Sequence, residues 1–427
     1  MSAAAMALLM IVLLLFGNIP VAFAFGIAST LYIFTNDLPI ALTIQRTFYG
    51  IHDFTLLAIP LFVLAGNVMN ISGVTNRILK FANALVGHTR GGLANANVVA
   101  SIIFSGMSGS ALADAGGLGT VEIEAMRRGG YPKKFAVGVT GASATIGPII
   151  PPSIPLVIYG AIAEVSVGAL FLAGFLPGLM MGLSLMIYVS WEARKLKVEK
   201  QPTPTLVILV KAAWEALPAV FTPVIILGGI GTGIFTPTEA AAVTVLYGLA
   251  LGAIYRELTV KKLAAALSDT FRTTSSILFI LASAAIFAWA LAHSNVSKDV
   301  GAFLVSMTSD PWVFLLLMNI VFLILGMILD TLSIQIITLP ILIPLLPILG
   351  INPIHFGIIM TLNLMIGLFT PPVGTGLYIL RDVSGLTFEE VVAAVLPPLI
   401  PLLFALLVVT YAPDLSLFLP RLLGYAV

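Results

Sequence analysis

Two short polar segments, each set within an apolar run, carry oxygen atoms with which this chain could bind a small cation. Residues 105–110 (SGMSGS) contribute three serine hydroxyls and two glycines, and residues 326–331 (GMILDT) contribute Asp330 and Thr331. Glycine lets a ligand approach the backbone closely. Oxygen ligands with at most one carboxylate favour a monovalent cation over calcium or a transition metal. The two segments therefore predict two sites for a monovalent cation.

A proline-rich segment follows each polar segment. Residues 145–160 read TIGPIIPPSIPLVIYG, and residues 365–375 read MIGLFTPPVGT. Proline lacks an amide hydrogen and its ring clashes with the preceding turn, so a membrane helix must stop there and restart, in the first case near Ser153. Such a break survives in a bilayer when it is buried in protein or lines a cavity. The unpaired carbonyls of the first half-helix suit a cation, and the positive end of the second half-helix suits an anion.

Each predicted cation site lies between the tip of a re-entrant hairpin and a helix break. The first uses Ser105, Gly106, Ser110, Thr145 and Gly147, and the second uses Gly326, Asp330, Thr331, Gly367 and Thr370. Substrate contacts are predicted, from proximity to the breaks, at Ser108, Ser143, Ser153, Asn363 and Thr375. The alternative role for the serines is helix–helix packing, because small residues are common where membrane helices meet.

Four carboxylates lie in or near apolar runs, where an ionisable side chain is a functional candidate or a proton relay by default. Asp114 and Asp330 are the better candidates, since Glu164 and Glu239 fall at the ends of predicted spans, where solvation explains them. Proton coupling through Asp330 is therefore an alternative to coupling through a metal cation.

The composition excludes a soluble globular protein. Hydrophobic residues make up 59% of the 427 residues and charged residues 9%, whereas soluble domains carry about a quarter charged residues. The chain has no cysteine, no phosphate-binding GxxxxGK[ST] motif and no histidine pair at metal-ligand spacing. With a net charge of +1 and no polybasic tail, it is not expected to bind nucleic acid. We predict an all-α polytopic membrane protein that contacts lipid, is not an enzyme and has no organic cofactor.

Long apolar runs supply the predicted membrane segments, since a span needs about 20 apolar residues. Two of them, 92–126 and 311–349, are the wrong length for simple crossings and are interpreted as re-entrant hairpins. The run 3–16 is interpreted as a retained first segment rather than a signal peptide, because it lacks a basic start. The runs are 3–16, 19–35, 54–71, 92–126, 134–163, 168–190, 211–229, 238–255, 273–292, 311–349, 354–380 and 388–412.

An internal duplication relates the two halves of the chain. Adding 220 to a residue number places residues 106–107 on 326–327 and Pro151-Pro152 on Pro371-Pro372. If the basic clusters face the cytoplasm, the first hairpin opens inward and the second outward. The copies then form an inverted-topology repeat, each with about five crossings, one of them broken at the midplane, plus a hairpin. The predicted units are repeat 1 at 1–190 (hairpin 92–128, broken helix 134–163), a cytoplasmic linker at 191–210, and repeat 2 at 211–427 (hairpin 300–350, broken helix 354–380).

Three segments of the chain resemble the large membrane subunit of the tripartite ATP-independent periplasmic (TRAP) transporters. They are SGMSGSALADAGGLG (105–119), GASATIGPIIPPSIPLVIYG (141–160) and NLMIGLFTPPVGTGLYI (363–379), and the resemblance covers essentially the whole chain. It implies a sodium-driven importer of organic acids, such as sialic acid or a C4-dicarboxylate, with about two sodium sites. It also implies an elevator mechanism with scaffold and transport domains, in the inner membrane of a bacterium.

The resemblance further implies two protein partners. One is a soluble periplasmic substrate-binding protein that delivers the acid, and the other is a small membrane subunit of about four helices. Because some members of the family fuse the small subunit to the large one, the length of 427 residues predicts that the small subunit is here a separate chain. A single-component sodium- or proton-coupled carboxylate symporter, a channel and an intramembrane enzyme are the competing interpretations.

Overall fold

The computed structural model describes residues 9, 19–196, 198, 200–294, 296–308 and 310–427. The predicted membrane segment 3–16 therefore lies outside the described residues, apart from Leu9. The described residues form α-helices and two short 3-10 helices, with no β-strand among them, which confirms the all-α prediction.

The helices of the first half lead up to residue 196. In chain order they are α1 Val21–Thr35, α2 Ala41–Tyr49, α3 Ala58–Ile71 (preceded by a 3-10 turn at Phe54–Leu57), α4 Val74–Val86, α5 Gly92–Ser108, α6 Ala111–Gly116, α7 Leu118–Arg128, α8 Lys133–Ala144, α9 Ile154–Ala163 and α10 Val167–Leu196. The helices of the second half are α11 Leu206–Gly231, α12 Pro237–Ile254, α13 Val260–His293, α14 Val296–Met307, α15 Pro311–Gly326, α16 Thr331–Leu342 (followed by a 3-10 turn at Ile343–Leu345), α17 Pro353–Leu368, α18 Thr375–Ser384, α19 Phe388–Tyr411 and α20 Pro413–Leu422.

Six of the described helices are long and apolar enough to cross a membrane. They are Phe54–Ile71, Val167–Leu196, Leu206–Gly231, Pro237–Ile254, Val260–His293 and Phe388–Tyr411. Shorter apolar helices, among them α5, α9, α15, α16 and α17, occur where the sequence predicts hairpins and broken helices. The chain is accordingly a multi-pass membrane protein whose described residues include both full spans and shorter, interrupted apolar helices.

Proline interrupts the helix at both predicted breaks. Between α8 and α9 the chain passes through a turn that contains Pro148, Pro151 and Pro152, and between α17 and α18 it passes through Pro371 and Pro372. Both Pro–Pro peptide bonds are cis.

The two helices that restart after the breaks are capped differently. Ser153 caps α9 by accepting a hydrogen bond from Leu156 N at 3.2 Å, and proline occupies the first turn. At the second break Gly374, with a φ of +42°, occupies the cap position of α18. A hydroxyl therefore pairs an end amide in the first copy, whereas the second copy uses the conformational freedom of glycine.

At both hairpin tips a polar side chain caps the start of the following helix. Ser110 caps α6 by accepting from Ala113 N at 3.4 Å, and Asp330 caps α16 by accepting from Ser333 N at 3.1 Å. These cap residues are 220 positions apart, the same separation that relates the two halves of the sequence. The unpaired backbone amides at the start of a helix need an acceptor, which a short polar side chain provides. The position of Ser110 and Asp330 at the start of a helix therefore explains why both residues are short and polar.

The returning arms of the two hairpins differ. In the first hairpin the arm is divided into α6 and α7 at Gly117, whose backbone leaves the helical region at φ −88° and ψ −81°. In the second hairpin the arm is the single helix α16. The two ends of the first hairpin are in contact with each other. A methyl carbon added at Gly129 would lie 2.2 Å from Leu93 Cδ1. The end of α7 therefore packs on the start of α5.

Four helices, α1, α3, α12 and α13, pack on one another and are named here the support helices. Asn67 on α3 donates to Thr270 Oγ1 on α13 at 2.9 Å, and the Tyr32 hydroxyl on α1 is hydrogen-bonded to His293 Nδ1 on α13 at 3.1 Å. The hairpin helices and broken helices pack in a second group, in which α8 contacts α19 and α15 contacts α17. The fully buried Tyr159 joins the two halves of the chain there, donating to Pro353 O at 2.5 Å.

Two helix boundaries differ from those expected. The sequence predicts an apolar run at 273–292, whereas α13 extends without interruption from Val260 to His293, because no glycine or proline occurs within it. Helix also continues into the predicted linker 191–210, to Leu196 on one side and from Leu206 on the other. The proline residues at 202 and 204 lie in the segment without helix, in agreement with their effect on the backbone.

Candidate functional site

A cavity of about 510 Å³ lies where both hairpin tips, both helix breaks and two support helices meet. The first hairpin contributes its tip from Ser108 to Ala113, and the second contributes Asp330 to Leu332. The breaks contribute Pro148, Ile154 and Pro155 on one side and Met365 and Leu368 on the other. The support helices contribute Val63, Gly66, Asn67 and Asn70 from α3 and Thr273 and Ile277 from α13.

The first hairpin tip holds a buried pair of polar side chains. The hydroxyl of Ser108 donates to Asp114 Oδ1, and both residues are almost fully buried. The other carboxylate oxygen, Asp114 Oδ2, has no hydrogen-bond partner among the described residues. A methyl carbon added at Gly147 would lie 2.4 Å from this oxygen, so the first helix break packs directly on the carboxylate. Asp114 thus lies directly beside Gly147, one of the residues predicted for the first cation site.

Other residues of the first predicted set are less closely grouped. The Ser105 hydroxyl donates to Ser101 O at 2.5 Å, and the Thr145 hydroxyl donates to Ala142 O at 2.7 Å. The first bond lies within α5 and the second at the end of α8. Because both hydroxyls act as donors in these bonds, each hydroxyl oxygen can still accept a hydrogen bond or bind a cation. Gly106 packs on Pro223 of α11, since an added methyl carbon would lie 2.1 Å from Pro223 Cγ. Ser110, at the tip, faces the cavity.

The second hairpin tip and the second break are joined through their backbones. Gly326 and Gly367 lie in direct contact: a methyl carbon added at Gly367 would be 2.8 Å from Gly326 Cα. Gly374 N donates to Met327 O at 2.9 Å. These two contacts fix the second hairpin tip against the second helix break.

Three side chains of the second predicted set place oxygen atoms around this junction. Asp330 and Thr331 line the cavity, and Asp330 Oδ1 accepts from the Ser333 hydroxyl. The Thr370 hydroxyl donates to Ile366 O at 2.7 Å. Among the described residues, no group of three or more His, Cys, Asp or Glu side chains forms a metal cluster. At each junction the available oxygen ligands are hydroxyls, carbonyls and one carboxylate, a set suited to a monovalent cation.

One of the five predicted substrate residues, Ser108, lines the cavity. Ser143 and Asn363 instead take part in buried hydrogen bonds between a hairpin arm and a broken helix. Ser143 donates to Asn97 Oδ1 at 2.7 Å, and Asn363 donates to Asn319 Oδ1 at 2.8 Å. The Ser153 hydroxyl donates to Pro148 O across the break, and Thr375 Oγ1 is buried without a partner among the described residues. Ser143, Asn363 and Ser153 thus hold the framework of the site, and none of these three residues nor Thr375 lines its cavity.

Polar side chains of the support helices were absent from the set predicted from the sequence. Asn67 and Asn70 lie one turn apart on α3, and Thr273 lies on α13. Two asparagines at positions i and i+3 of the apolar run 54–71 place two amides on one helix face, which is the signal that could have revealed them. Which face meets the cavity depends on tertiary packing.

Glu164 and Glu239 lie together elsewhere. With Asp53 they line a separate cavity of about 580 Å³ at the ends of α9 and α11. Glu239 forms a capping box with Thr236 at the start of α12. This placement agrees with the expectation that both carboxylates lie at span ends; of the four carboxylates singled out from the sequence, Asp114 and Asp330 are the two that belong to the hairpins.

An all-α membrane chain with paired helix breaks and paired hairpin tips around one cavity has the architecture of a secondary transporter. The family model of the DctM component of the tripartite ATP-independent periplasmic transporters matches residues 8–415. The chain belongs to this family, and the resemblance inferred from its sequence is confirmed.

Characterised relatives are named as transport permeases. The large permease SiaM of the sialic acid TRAP transporter of Vibrio cholerae is 43% identical over 415 residues, which cover 96% of this chain and 97% of SiaM. The large permease DctM of the C4-dicarboxylate TRAP transporter of Pseudomonas aeruginosa is 42% identical, with 93% of each chain covered. The sialic acid permease SiaT of Haemophilus influenzae is 39% identical, and the match covers 98% of this chain and 68% of SiaT.

The fold also matches a solved transporter of distant sequence. The crystal structure of the YdaH transporter of Alcanivorax borkumensis superposes with a TM-score of 0.62 at 15% sequence identity, covering 88% of this chain and 89% of YdaH. At this identity the likeness concerns the fold.

Proposed function

We propose that this chain is the membrane subunit through which an organic acid enters the cell, driven by a sodium gradient. The observation that carries the proposal is the cavity of about 510 Å³ bounded by both hairpin tips and both helix breaks. A helix break supplies unpaired carbonyls and a helix N-terminus in the same place, so a cation and an anion can be bound side by side. Relatives named for sialic acid and for C4-dicarboxylates support a carboxylate as the anion.

The proposed sodium sites lie at the two junctions of hairpin and break. At the first, Asp114 Oδ2 and the backbone at Gly147 provide oxygen ligands, together with Ser105, Gly106, Ser110 and Thr145 as predicted from the sequence. At the second, the proposed ligands are Asp330, Thr331, Thr370 and the backbone at Gly326 and Gly367. A bound sodium ion at either junction would offset the charge of the carboxylate that faces it.

The proposed mechanism is an elevator movement of the hairpin and broken-helix group against the support helices. The division of the helices into two packed groups supports this proposal. The cavity lies between the groups, so a relative displacement would expose it alternately to the two sides of the membrane. We further propose that the membrane is the inner membrane of a bacterium and that the halves of the chain are inverted repeats.

The proposed partners are a periplasmic binding protein that delivers the acid and a separate small membrane subunit. The family description, which names a tripartite periplasmic transporter, supports the first. The second is supported by SiaT, of which about a third lies outside the part that this chain matches.

Uptake by proteoliposomes tests the proposal. The chain, purified with its small subunit, is reconstituted and given an inward sodium gradient, a panel of labelled carboxylates, and a cognate binding protein that is either present or omitted. Uptake that requires both sodium and the binding protein supports the proposal. Uptake without the binding protein would assign the chain to single-component symporters, and uptake driven by a pH gradient without sodium would favour proton coupling at Asp330, which lines the cavity.

A further inference from the structure

Three neutral polar side chains form one wall of the central cavity. Asn67 and Asn70 extend from α3, and Thr273 extends from the adjacent helix α13. This wall belongs to the support helices and faces the two hairpin tips. We propose that it recognises the hydroxyl groups of a polyhydroxylated monocarboxylate, such as a sugar acid, and thereby selects this class over dicarboxylates.

Hydrogen bonding gives the wall both donors and acceptors. Asn67 Nδ2 donates to Thr270 Oγ1 at 2.9 Å, which holds the amide in place and leaves its oxygen as an acceptor. The side chains of Asn70 and Thr273 are exposed and make no hydrogen bond with the described residues. An amide and a hydroxyl each offer donors as well as acceptors. Substrate hydroxyls also donate and accept, so they can bond to both kinds of group in this wall. A carboxylate only accepts, so it can bond to the donors of the wall and not to its acceptors.

The charges of the cavity favour a single carboxylate on the substrate. Of the described residues that line it, none is Lys, Arg or His, and Asp330 contributes a carboxylate. A second substrate carboxylate would thus lie in a largely apolar cavity without a cationic side chain, and burial of an unpaired charge is unfavourable. One carboxylate, in contrast, can be compensated by the cations that the proposed function places at the hairpin tips.

The size of the cavity agrees with this class. A volume of about 510 Å³ lies in the range of ligand pockets that enclose molecules larger than a four-carbon acid. A small dicarboxylate bound at the hairpin tips would not reach Asn67 and Asn70, and these side chains would then be hydrogen-bonded to water. A sugar acid reaches from the tips to α3 and can use both. The inference rests on the proposed function, since it assigns the substrate class of the same cavity.

Alkylation of a single cysteine tests this inference without transport. The chain contains no cysteine, so Ala113→Cys places one thiol at an exposed position of the cavity lining. With sodium present, the rate of reaction with N-ethylmaleimide is measured at about 10 mM sialic acid, gluconate or succinate, above the usual range of KM. A sugar acid at about ten times its Kd slows the reaction roughly tenfold, because the reactive fraction falls with occupancy.

Two further variants separate recognition from indirect effects. Asn70→Ala, combined with Ala113→Cys, is expected to abolish protection by the sugar acid that protects Ala113→Cys alone. Ser166→Cys places a thiol in a separate cavity lined by the carboxylates of Asp53, Glu164 and Glu239, and no acid should protect it. Protection by a sugar acid and not by succinate, lost in the Asn70→Ala variant, supports the inference.

Three results would overturn the inference. They are equal protection by succinate, the absence of protection by either sugar acid, and full protection in the Asn70→Ala variant. Since the assay reports binding, any of these results can coexist with sodium-driven uptake of another acid. Failure of the inference is thereby distinguished from failure of the proposed function.

Discussion

Asp114 Oδ2 lies against the backbone of Gly147, so the first hairpin tip presents a buried, unpaired carboxylate oxygen to the first helix break. No side chain separates them. Two parts of the chain more than thirty residues apart thus meet where an oxygen-binding cation would be stabilised. The relationship makes the proposed first cation site sensitive to a single added methyl group.

Gly147→Ala is the substitution that tests this contact. Its methyl carbon would lie 2.4 Å from Asp114 Oδ2, so the carboxylate or the break must shift. We expect the sodium concentration for half-maximal uptake to rise about tenfold, which corresponds to about 1.4 kcal/mol. The measurement is uptake into proteoliposomes as a function of sodium.

Gly228→Ala is the matched control for this substitution. A methyl carbon added at Gly228 meets no atom within 4 Å, so sodium activation should stay as in the wild type. Unchanged sodium activation in Gly147→Ala would remove the first junction from the proposed sodium sites.

Gly367→Ala tests the second junction through its backbone contact. The added carbon would lie 2.8 Å from Gly326 Cα, and neither backbone can yield without moving the hairpin tip or the break. Overpacking of this kind costs about 1–3 kcal/mol. We expect a lower unfolding temperature in detergent and a marked loss of uptake. A variant with wild-type uptake would show that this close approach is dispensable.

Thr370→Val replaces a hydroxyl by a methyl group of similar size. The Thr370 hydroxyl donates to Ile366 O at 2.7 Å, and its oxygen is a proposed sodium ligand. We expect the sodium requirement to rise about tenfold, by about 1.4 kcal/mol, with the fold retained. Thr338→Val is the control, because Thr338 makes the same bond to Ile334 O at 2.7 Å within α16. An equal change in both variants would indicate loss of the helix bond and not of a ligand.

Ser110→Ala separates capping from cation binding. Ser110 caps α6, so its removal should cost about 1 kcal/mol of stability. Ser166 makes a comparable bond, accepting from Ala169 N at 3.2 Å, outside the central cavity. We expect similar losses of thermal stability in Ser110→Ala and Ser166→Ala, with weakened sodium dependence confined to Ser110→Ala. Equal sodium dependence in the two variants would contradict a ligand role for Ser110.

Asp330→Asn distinguishes the two possible coupling ions. The amide keeps a carbonyl-type oxygen for the α16 cap and for a cation, but it loses the charge and cannot exchange a proton. If sodium is the coupling ion, the variant should require more sodium and still follow its gradient. If protons are coupled through Asp330, uptake should lose its response to a pH gradient imposed without sodium. Uptake measured under each gradient separately decides between them.

Local backbone chemistry allowed the breaks and the tips to be predicted. Pro151 and Pro152 cannot continue a helix, so the position of the break follows from residue type. A fixed offset of 220 relates the corresponding positions in the two halves. These features depend on neighbours in the sequence and therefore needed no knowledge of the packing.

Contacts between distant segments could not be predicted in the same way. Asp114 had been recognised as a buried carboxylate, but its approach to Gly147 depends on how α6 lies against the break. Gly106 illustrates the opposite case: its place in the repeat suggested a role like that of Gly326, yet it meets Pro223 of α11. Asn67 and Asn70 face the cavity because of how α3 is oriented, which hydropathy alone does not specify.

The contact between Gly106 and Pro223 bears on the proposed movement of the first hairpin. Glycine offers no side chain to interlock, and the proline ring has no amide hydrogen to bond. Separating these surfaces therefore breaks no hydrogen bond at this point and loses dispersion contacts of about 0.1–0.2 kcal/mol per atom pair. A larger residue at position 106 would clash with Pro223, and we expect it to hinder any movement of the first hairpin past α11.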